Sequence, residues 1–332
     1  EIRTPGMDLT VLTRQLVAAC AAGTETALQP LAAELGFADA KKSAANLKLL
    51  HEAFPDGDLL AAVVQSALAA ADPDLALNNL ERLAGTVPPP ELQPVLSKAE
   101  PRRRLLTILG ASPFLTGILC RKPDYFRDLF PGGEFDRRKD EQAMLAELRE
   151  RIPAGADFAR LQRELRLYKA REILRVAGRD LCGLADLAET TGELSALAAA
   201  SLQAACEVCG ALLRAEYGAP LLDDPAGAEA KFTVFGMGKF GGRELNFSSD
   251  IDLIYFYSSE RGMTAGVPGP AGEPRSRIHL HQYFCKLADL VSKAVGEPTE
   301  DGFVFRVDLR LRPEGNSGEM ANPLRSAEIY YE

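Results

Sequence analysis

Apolar residues recur three and four positions apart along the first two thirds of the chain. From Asp8 to about Gly218 the sequence is rich in Ala, Leu, Glu and Arg, and it is broken by FPDGD, ADPD, TVPPPE, GASP and FPGGEF. That pattern predicts a stack of helices separated by short turns. Within it, DFARLQRELRLYKAREILRVAGRDLCGLADL predicts one long helix and then a turn. Leu167, Leu174 and Ala177 are expected to pack. Arg171, Arg175 and Arg179 recur every four residues; they are expected to form a solvated face with Glu172 and Asp180 as local partners, a phosphate-facing stripe being the alternative.

The period then changes from helical to alternating. A polar turn, LLDDPAGAEA, precedes β-branched and aromatic runs at residues 232–235, 251–257 and 303–311, which read as strands. RGMTAGVPGPAGEPRS has the Gly and Pro content of a mobile surface loop. IHLHQYFCKLADLVSKAVG reads as an amphipathic helix with Leu280, Phe284, Leu287, Val291 and Val295 inward. The order is strand, short helix, strand, long helix, strand. The expected class is α+β: a helical N-terminal region over 1–220 and a second region with a small mixed sheet over 221–332.

Composition narrows the function. With 332 residues, 46% of them hydrophobic, the chain can bury one large core or two smaller ones, so one to three domains are expected. A net charge of -9 argues against a protein that grips nucleic-acid backbones, since that binding needs surplus Lys and Arg. The six cysteines are scattered, which points to reduced thiols. Cys206 and Cys209 lie in a helical pattern with no second pair, so they read as core thiols rather than a zinc or redox site. No run approaches the ~20 uncharged residues of a membrane span and no signal-peptide pattern opens the chain, so a cytoplasmic location is expected. The chain starts at Glu1 and stops at Glu332 directly after AEIYY, and it is read as a piece of a longer protein.

TVFGMGKFGG contains a literal G-x-G-x-x-G at Gly236, Gly238 and Gly241. A dinucleotide-binding loop would open a full helix and place its acid at the end of the next strand, about 20 residues on. Here only RELNFSS, room for a turn or two of helix, separates Gly242 from the next strand. Lys239 is followed by Phe, which excludes a P-loop. What the glycines offer is close backbone approach to a phosphate near the start of a short helix. In SSDIDLIYFY, Asp250 and Asp252 are spaced to share one strand face, with Ile251 and Leu253 on the other. In GFVFRVDLRLRP, Arg306, Asp308, Arg310 and Arg312 are spaced to share one face, with Phe305, Val307, Leu309 and Leu311 opposite. If the strands are neighbours, Asp308 joins Asp250 and Asp252 as a hard oxygen ligand set for Mg²⁺ or Mn²⁺, suited to phosphoryl or nucleotidyl transfer. A plain wet sheet face is the alternative.

Glycines, a short helix, Ser then Asp-x-Asp on a strand, and a later Asp make the polymerase-β-like nucleotidyltransferase pattern. GMGKFGGRELNFSSDIDLIYFY with DGFVFRVDLRLRPEGNSG resembles the glutamine synthetase adenylyltransferase family, the bifunctional adenylyl-transferring and adenylyl-removing enzymes of bacterial nitrogen control. The resemblance continues upstream in ASPFLTGILCRKPDYFRDLF and YKAREILRVAGRDLCGLADLAETTGELSALA. RELNFSSDIDLI and the helical region before it resemble the first, adenylyl-removing unit of that family; the second, adenylyl-adding unit is the alternative, and a catalytically silent binding module a further one. The resemblance implies phosphorolysis of AMP-tyrosine on glutamine synthetase, with phosphate as the attacking group and ADP as product. It implies two Mg²⁺ ions held by Asp250, Asp252 and Asp308. Gly241, Gly242 and Ser249 are candidates for the nucleotide's phosphate, and Lys239, Arg310 and Arg312 for the attacking phosphate. Glu244 and Asn246 are expected to fix the short helix, and His279 and His281 to lie exposed on the surface. The PII signal protein is implied as a partner of the full-length enzyme; nucleic acid and membrane are not expected partners.

Overall fold

The computed structural model describes residues 9–332 except Thr24, Pro225, Ala271 and Gly272. Asp8, where the helix-rich pattern begins, and Pro225, Ala271 and Gly272 of the predicted turn and loop lie outside the described residues. The chain forms two compact units: Glu1–Arg137 with Leu174–Asp186, and Arg138–Ile173 with Leu187–Glu332.

The first unit holds α1 (Leu9–Ala21), α2 (Glu25–Leu35), α3 (Ala40–Ala53), α4 (Gly57–Leu68), α5 (Pro73–Ala84), α6 (Pro89–Leu96), α7 (Ala99–Ala111), α8 (Pro113–Arg121) and α9 (Pro123–Leu129). The polar breaks in the sequence are their caps. Asp56 of FPDGD accepts from Asp58 N–H at 3.0 Å, Asp72 of ADPD from Leu75 N–H at 2.9 Å, and Ser112 of GASP from Leu115 N–H at 3.2 Å. Pro73 and Pro113 follow as the first helical residues, where a missing N–H costs nothing. Leu47, Leu50, Val64, Leu77, Leu80 and Leu105 form part of the buried core.

The second unit contains α10 (Glu141–Arg151) and α12 (Leu187–Tyr217). The predicted long helix is α11 (Phe158–Leu181), followed by the expected turn; its residues 158–173 belong to this unit and the rest to the first. The solvated arginine face is corrected: Arg171, Arg175 and Arg179 are all buried. Arg175 donates to the Arg137 carbonyl at 2.7 Å and Arg179 to the Asp136 carbonyl at 2.8 Å, while Arg171 reaches Glu172 at 2.9 Å. Glu172 is itself buried, 3.0 Å from the equally buried Lys139 ammonium. The misreading came from periodicity alone, which marks a polar stripe without showing that carbonyls and carboxylates wait opposite it.

Helix α12 is by length and composition apolar enough to cross a membrane, yet half of that window is buried in the fold, with Leu194, Leu197, Leu202, Ala205 and Cys209 inward. Cys209 is buried, as the core reading expects, whereas Cys206 is half-buried; burial pushes both thiols up to about 12.

The strands are β1 (Pro220–Leu222), β2 (Phe232–Met237), β3 (Ile251–Tyr257), β4 (Gly262–Thr264), β5 (Val267–Pro268), β6 (Pro274–Arg275), β7 (Val307–Asp308) and β8 (Ala321–Pro323). Three more helices follow among the described residues: the short α13 (Gly238–Gly241), the long α14 (Leu280–Gly296) and α15 (Leu324–Tyr331). The class is α+β. In the small mixed sheet, β3 pairs antiparallel with β2 on one side and parallel with β7 and β8 on the other. The predicted surface loop after β3 instead pairs β4 with β1 and folds β5 on β6 as a hairpin.

Helix α14 buries all five of its predicted inward residues. Phe284 stacks on Tyr257 at 4.8 Å and on Phe232 at 5.9 Å, and Ser292 bonds the Tyr255 hydroxyl at 2.9 Å. These contacts occupy one face of β2 and β3; on the opposite face Asp252 is followed by Ile254 and Phe256, which are buried with Ala327 of α15.

Candidate nucleotidyl-transfer site

Register brings the carboxylates together. On β3, Asp252 lies directly opposite Met237 of β2 and Asp308 of β7, so Asp252 and Asp308 share a sheet face. Asp250, two residues earlier, immediately precedes β3. The Ile251 N–H donates to the Arg306 carbonyl at 2.9 Å, which holds this end of the strand beside the segment entering β7. Burial, then Asp308, then Asp250 push the Asp252 carboxyl above its ordinary range. Asp308 moves the other way, because the Arg310 guanidinium and backbone N–H both donate to it.

The strand expected over residues 303–311 is corrected to two residues. The Arg310 N–H turns back onto the Asp308 carboxylate at 2.8 Å and the Arg312 N–H onto the Leu309 carbonyl at 3.2 Å, so the chain leaves the sheet after Asp308. The alternation therefore stops there, and Leu311 is 49% exposed instead of facing the core. An aspartate that captures the N–H two residues on competes with the ladder, a signal readable in the VDLR tetrapeptide but outweighed by its alternation.

The glycine turn sits against these acids. The short helix is α13, on Gly238–Gly241, rather than on RELNFSS, which forms turns. Gly238 has φ +51°, and a Cβ there would lie 2.6 Å from Asp252 Oδ2. A Cβ on Gly241 would lie 2.5 Å from the Gly236 carbonyl. The spacing thus serves close approach to a carboxylate and a tight strand exit. Because β2 and β3 are antiparallel, the dinucleotide-binding topology is excluded.

Other predicted residues are placed as follows. Lys239 and Gly241 are exposed at the turn. The Gly242 N–H donates to the Gly238 carbonyl at 3.0 Å. The Ser249 hydroxyl accepts from Asn246 N–H at 3.1 Å, and Glu244 N–H donates to the Lys239 carbonyl at 2.7 Å. Arg310 is paired with Asp308 and its side chain is 74% exposed. Arg312 is turned to carbonyls, those of Gly318 at 3.1 Å and Leu309 at 2.9 Å, and so closes the loop after Asp308. His279 is exposed at the start of α14, but His281 is half-buried and bonded to the Tyr257 hydroxyl at 2.9 Å, a correction for the latter.

Two residues were not singled out from the sequence. Gly238 was lost among three equivalent glycines. Arg306 was noted only as part of a charged face, yet it spans Asp250 at 2.5 Å and the Ser248 carbonyl at 2.7 Å, fixing the peptide that precedes β3.

Among the described residues, two grooves border β2. The larger, about 980 Å³, runs between α12 and β2 and reaches Gly236 and Gly241, but none of the three aspartates lines it. The smaller, about 370 Å³, continues the face of Asp252 along Ile254 and Phe256, walled by Phe235, Met237, Leu324 and Tyr331. Chemistry favours the carboxylate cluster over the larger void.

A mixed sheet with converging carboxylates and a glycine turn packed on them defines a nucleotidyltransferase-like α+β domain. A family profile, Glutamate-ammonia ligase adenylyltransferase, matches residues 102–332. The chain is 39% identical over 229 residues to the bifunctional glutamine synthetase adenylyltransferase/adenylyl-removing enzyme of Thioalkalivibrio sulfidiphilus, covering 69% of this chain and 22% of that protein. It is 34% identical over 259 residues to the protein of the same name from Psychromonas ingrahamii, covering 78% of this chain and 26% of that one. With the Burkholderia mallei protein of that name the figures are 44% over 171 residues, 52% and 18%. The chain belongs to the Glutamate-ammonia ligase adenylyltransferase family, a nucleotidyltransferase family. It spans about a quarter of the length of the first two relatives, which are matched over 22% and 26%.

Proposed function

We propose that this chain removes AMP from a tyrosine of glutamine synthetase by phosphorolysis, as a cytoplasmic enzyme of nitrogen regulation whose full-length form answers to the PII signal protein. The observation that carries the reading is the register of Asp252 against Asp308, with Asp250 two residues before it. The choice of removal over addition rests on the likeness of RELNFSSDIDLI and DGFVFRVDLRLRP to the first unit of the family; adenylyl transfer from ATP is the second reading.

The donor set fits a hard divalent cation: carboxylate oxygens side by side, and a glycine whose missing Cβ leaves Asp252 Oδ2 uncrowded. Asp250, Asp252 and Asp308 would hold Mg²⁺, two ions in this reading and Mn²⁺ as a substitute, which would supply neutralisation of two phosphates brought together. The chain's own groups do the rest. Lys239, next to Gly238, and Arg310, paired with Asp308, would receive the attacking phosphate. Gly241 N–H and Ser249 orient the nucleotide's phosphate, with the Gly242 N–H available where its turn opens. Arg312 keeps the loop after Asp308 closed. The aromatic wall of the smaller groove gives the adenine a flat, water-poor surface. A phosphate oxygen attacks the α-phosphorus, the bond from phosphorus to the tyrosyl oxygen breaks, and that oxygen takes up the proton the phosphate gives up. The products are ADP and unmodified tyrosine.

The test is ADP formation from AMP-modified glutamine synthetase with phosphate and Mg²⁺, comparing the chain with its Asp250→Asn, Asp252→Asn double variant. Phosphate-dependent ADP that vanishes in the variant supports removal. AMP transfer from ATP onto unmodified synthetase, without ADP formation in the first assay, supports the second reading; a folded chain with neither activity supports a silent binding module.

A further inference from the structure

Helix α14 presents His281 and Cys285 one turn apart on the same face, next to the segment that leads into β8. Glu319, in that segment, points its carboxylate at the same spot. The His281 Nε2 lies 3.7 Å from Glu319 Oε2 and 3.8 Å from Cys285 Sγ, and one donor atom from each residue falls within 4.8 Å of the others. The imidazole to carboxylate separation is too long for a hydrogen bond. It is close to the spacing, about 3.5 Å, that imidazole, carboxylate and thiolate donors adopt at about 2.0–2.3 Å around a tetrahedral zinc ion.

The other ring nitrogen is already committed. His281 Nδ1 bonds the Tyr257 hydroxyl at 2.9 Å. In the tautomer that donates Nδ1–H to Tyr257, the Nε2 lone pair is left on the Glu319 side, with Cys285 Sγ beside the ring, 3.9 Å from Nδ1 and 3.8 Å from Nε2. A partner that fixes ring and tautomer is the usual support of a metal-bound histidine. The site is reachable, with the His281 and Glu319 side chains 42% and 68% exposed.

From this geometry we propose that His281, Cys285 and Glu319 form a binding site for a borderline-soft divalent transition metal of the Zn²⁺ class. The site is separate in chemistry from the all-carboxylate cluster: a thiolate with an imidazole selects against Mg²⁺, whereas Asp250, Asp252 and Asp308 select for it. Binding replaces the thiol proton, which leaves to solvent. The ion joins α14 to the stretch between Asp308 and β8, which Arg312 closes from its other end. Its occupancy therefore stiffens the loop that carries Arg310.

The test is Co²⁺ titration of the full chain under reductant with excess Mg²⁺, followed by Zn²⁺ displacement and thermal unfolding. The expected result is a thiolate-to-cobalt absorption band at one equivalent, bleached by Zn²⁺, and a higher unfolding temperature with Zn²⁺. Cys285→Ser abolishes the band, and the Cys206→Ser, Cys209→Ser double variant keeps it. Glu319→Gln, at an exposed position that leaves folding untouched, weakens binding, and Tyr257→Phe weakens it by about tenfold. Absence of a band in the parent chain, or a band that survives Cys285→Ser and disappears with Cys206 and Cys209, overturns the proposal.

Discussion

Arg166 offers the sharpest test of how the second unit holds the segment leading into β7 in place. Its side chain is buried, and its guanidinium donates to the carbonyls of Ala294 at 2.9 Å, Gly302 at 2.8 Å and Gln162 at 2.8 Å, and also to that of Glu297. Burial lowers the pKa of this cation, and Glu297 and Asp301 oppose the shift without cancelling it. One residue of α11 thus ties off the end of α14 and the turn that leads to β7 and Asp308. Arg166→Met keeps the apolar stem and deletes every donor. The Gln162 carbonyl lies within α11, so the exposed loss falls on three acceptors. At about 1 kcal/mol for each acceptor left without its charged donor, the expected destabilisation is about 3 kcal/mol. Arg166→Lys reaches one acceptor and recovers about a third of that, since a point charge cannot replace a planar fork. Urea denaturation, followed by circular dichroism with unchanged slope, reads both values. A loss below about 1 kcal/mol for Met, or full recovery by Lys, would refute the clamp.

Three further outcomes follow from the site. Arg306→Gln, which releases Asp250 and the Ser248 carbonyl from an exposed contact, should change stability by under about 1 kcal/mol, while steady-state kcat falls about a hundredfold as Asp250 loses its position. Gly238→Ala combines φ +51° with a Cβ 2.6 Å from Asp252 Oδ2; it should cost about 1–2 kcal/mol in denaturation and abolish the Mg²⁺-induced rise in unfolding temperature. Burial first, then Arg166 and Arg306, lower the Lys169 pKa from 10.5 to about 8. The unfolded chain then binds more protons between those values, so wild-type stability relative to Lys169→Met should rise with pH from about 8 to 10.5, the penalty being complete below about 8. A flat difference across denaturation curves in that window would contradict the assignment.

Much of this arrangement is readable from residue order. Alternation in SSDIDLIYFY specifies a strand that puts Asp252 on one face, although Asp250 falls just before it, and the apolar spacing of IHLHQYFCKLADLVSKAVG specifies the helix that covers the other face. What periodicity cannot show is the partner. Arg171, Arg175 and Arg179 look solvated because nothing local reveals the carbonyls of Arg137 and Asp136 or the buried Glu172 and Lys139. VDLRLRP keeps an alternating pattern past the point where the Asp308 side chain captures its own backbone and ends the strand. The short strands β4, β5 and β6 are paired by contacts distant in sequence or by a hairpin among Gly and Pro, and composition alone assigns that stretch to a loop. The G-x-G-x-x-G spacing names no ligand by itself; only the β2 to β3 register shows that Gly238 faces Asp252.

The most direct test of the central claim follows the fate of radiolabelled inorganic phosphate incubated with Mg²⁺, AMP-modified glutamine synthetase and either this chain or its Asp308→Asn variant. The account predicts label in the β-phosphate of ADP, formed one for one with restored tyrosine and lost in the variant. Release of unlabelled AMP, or labelled ADP undiminished in Asp308→Asn, would contradict it.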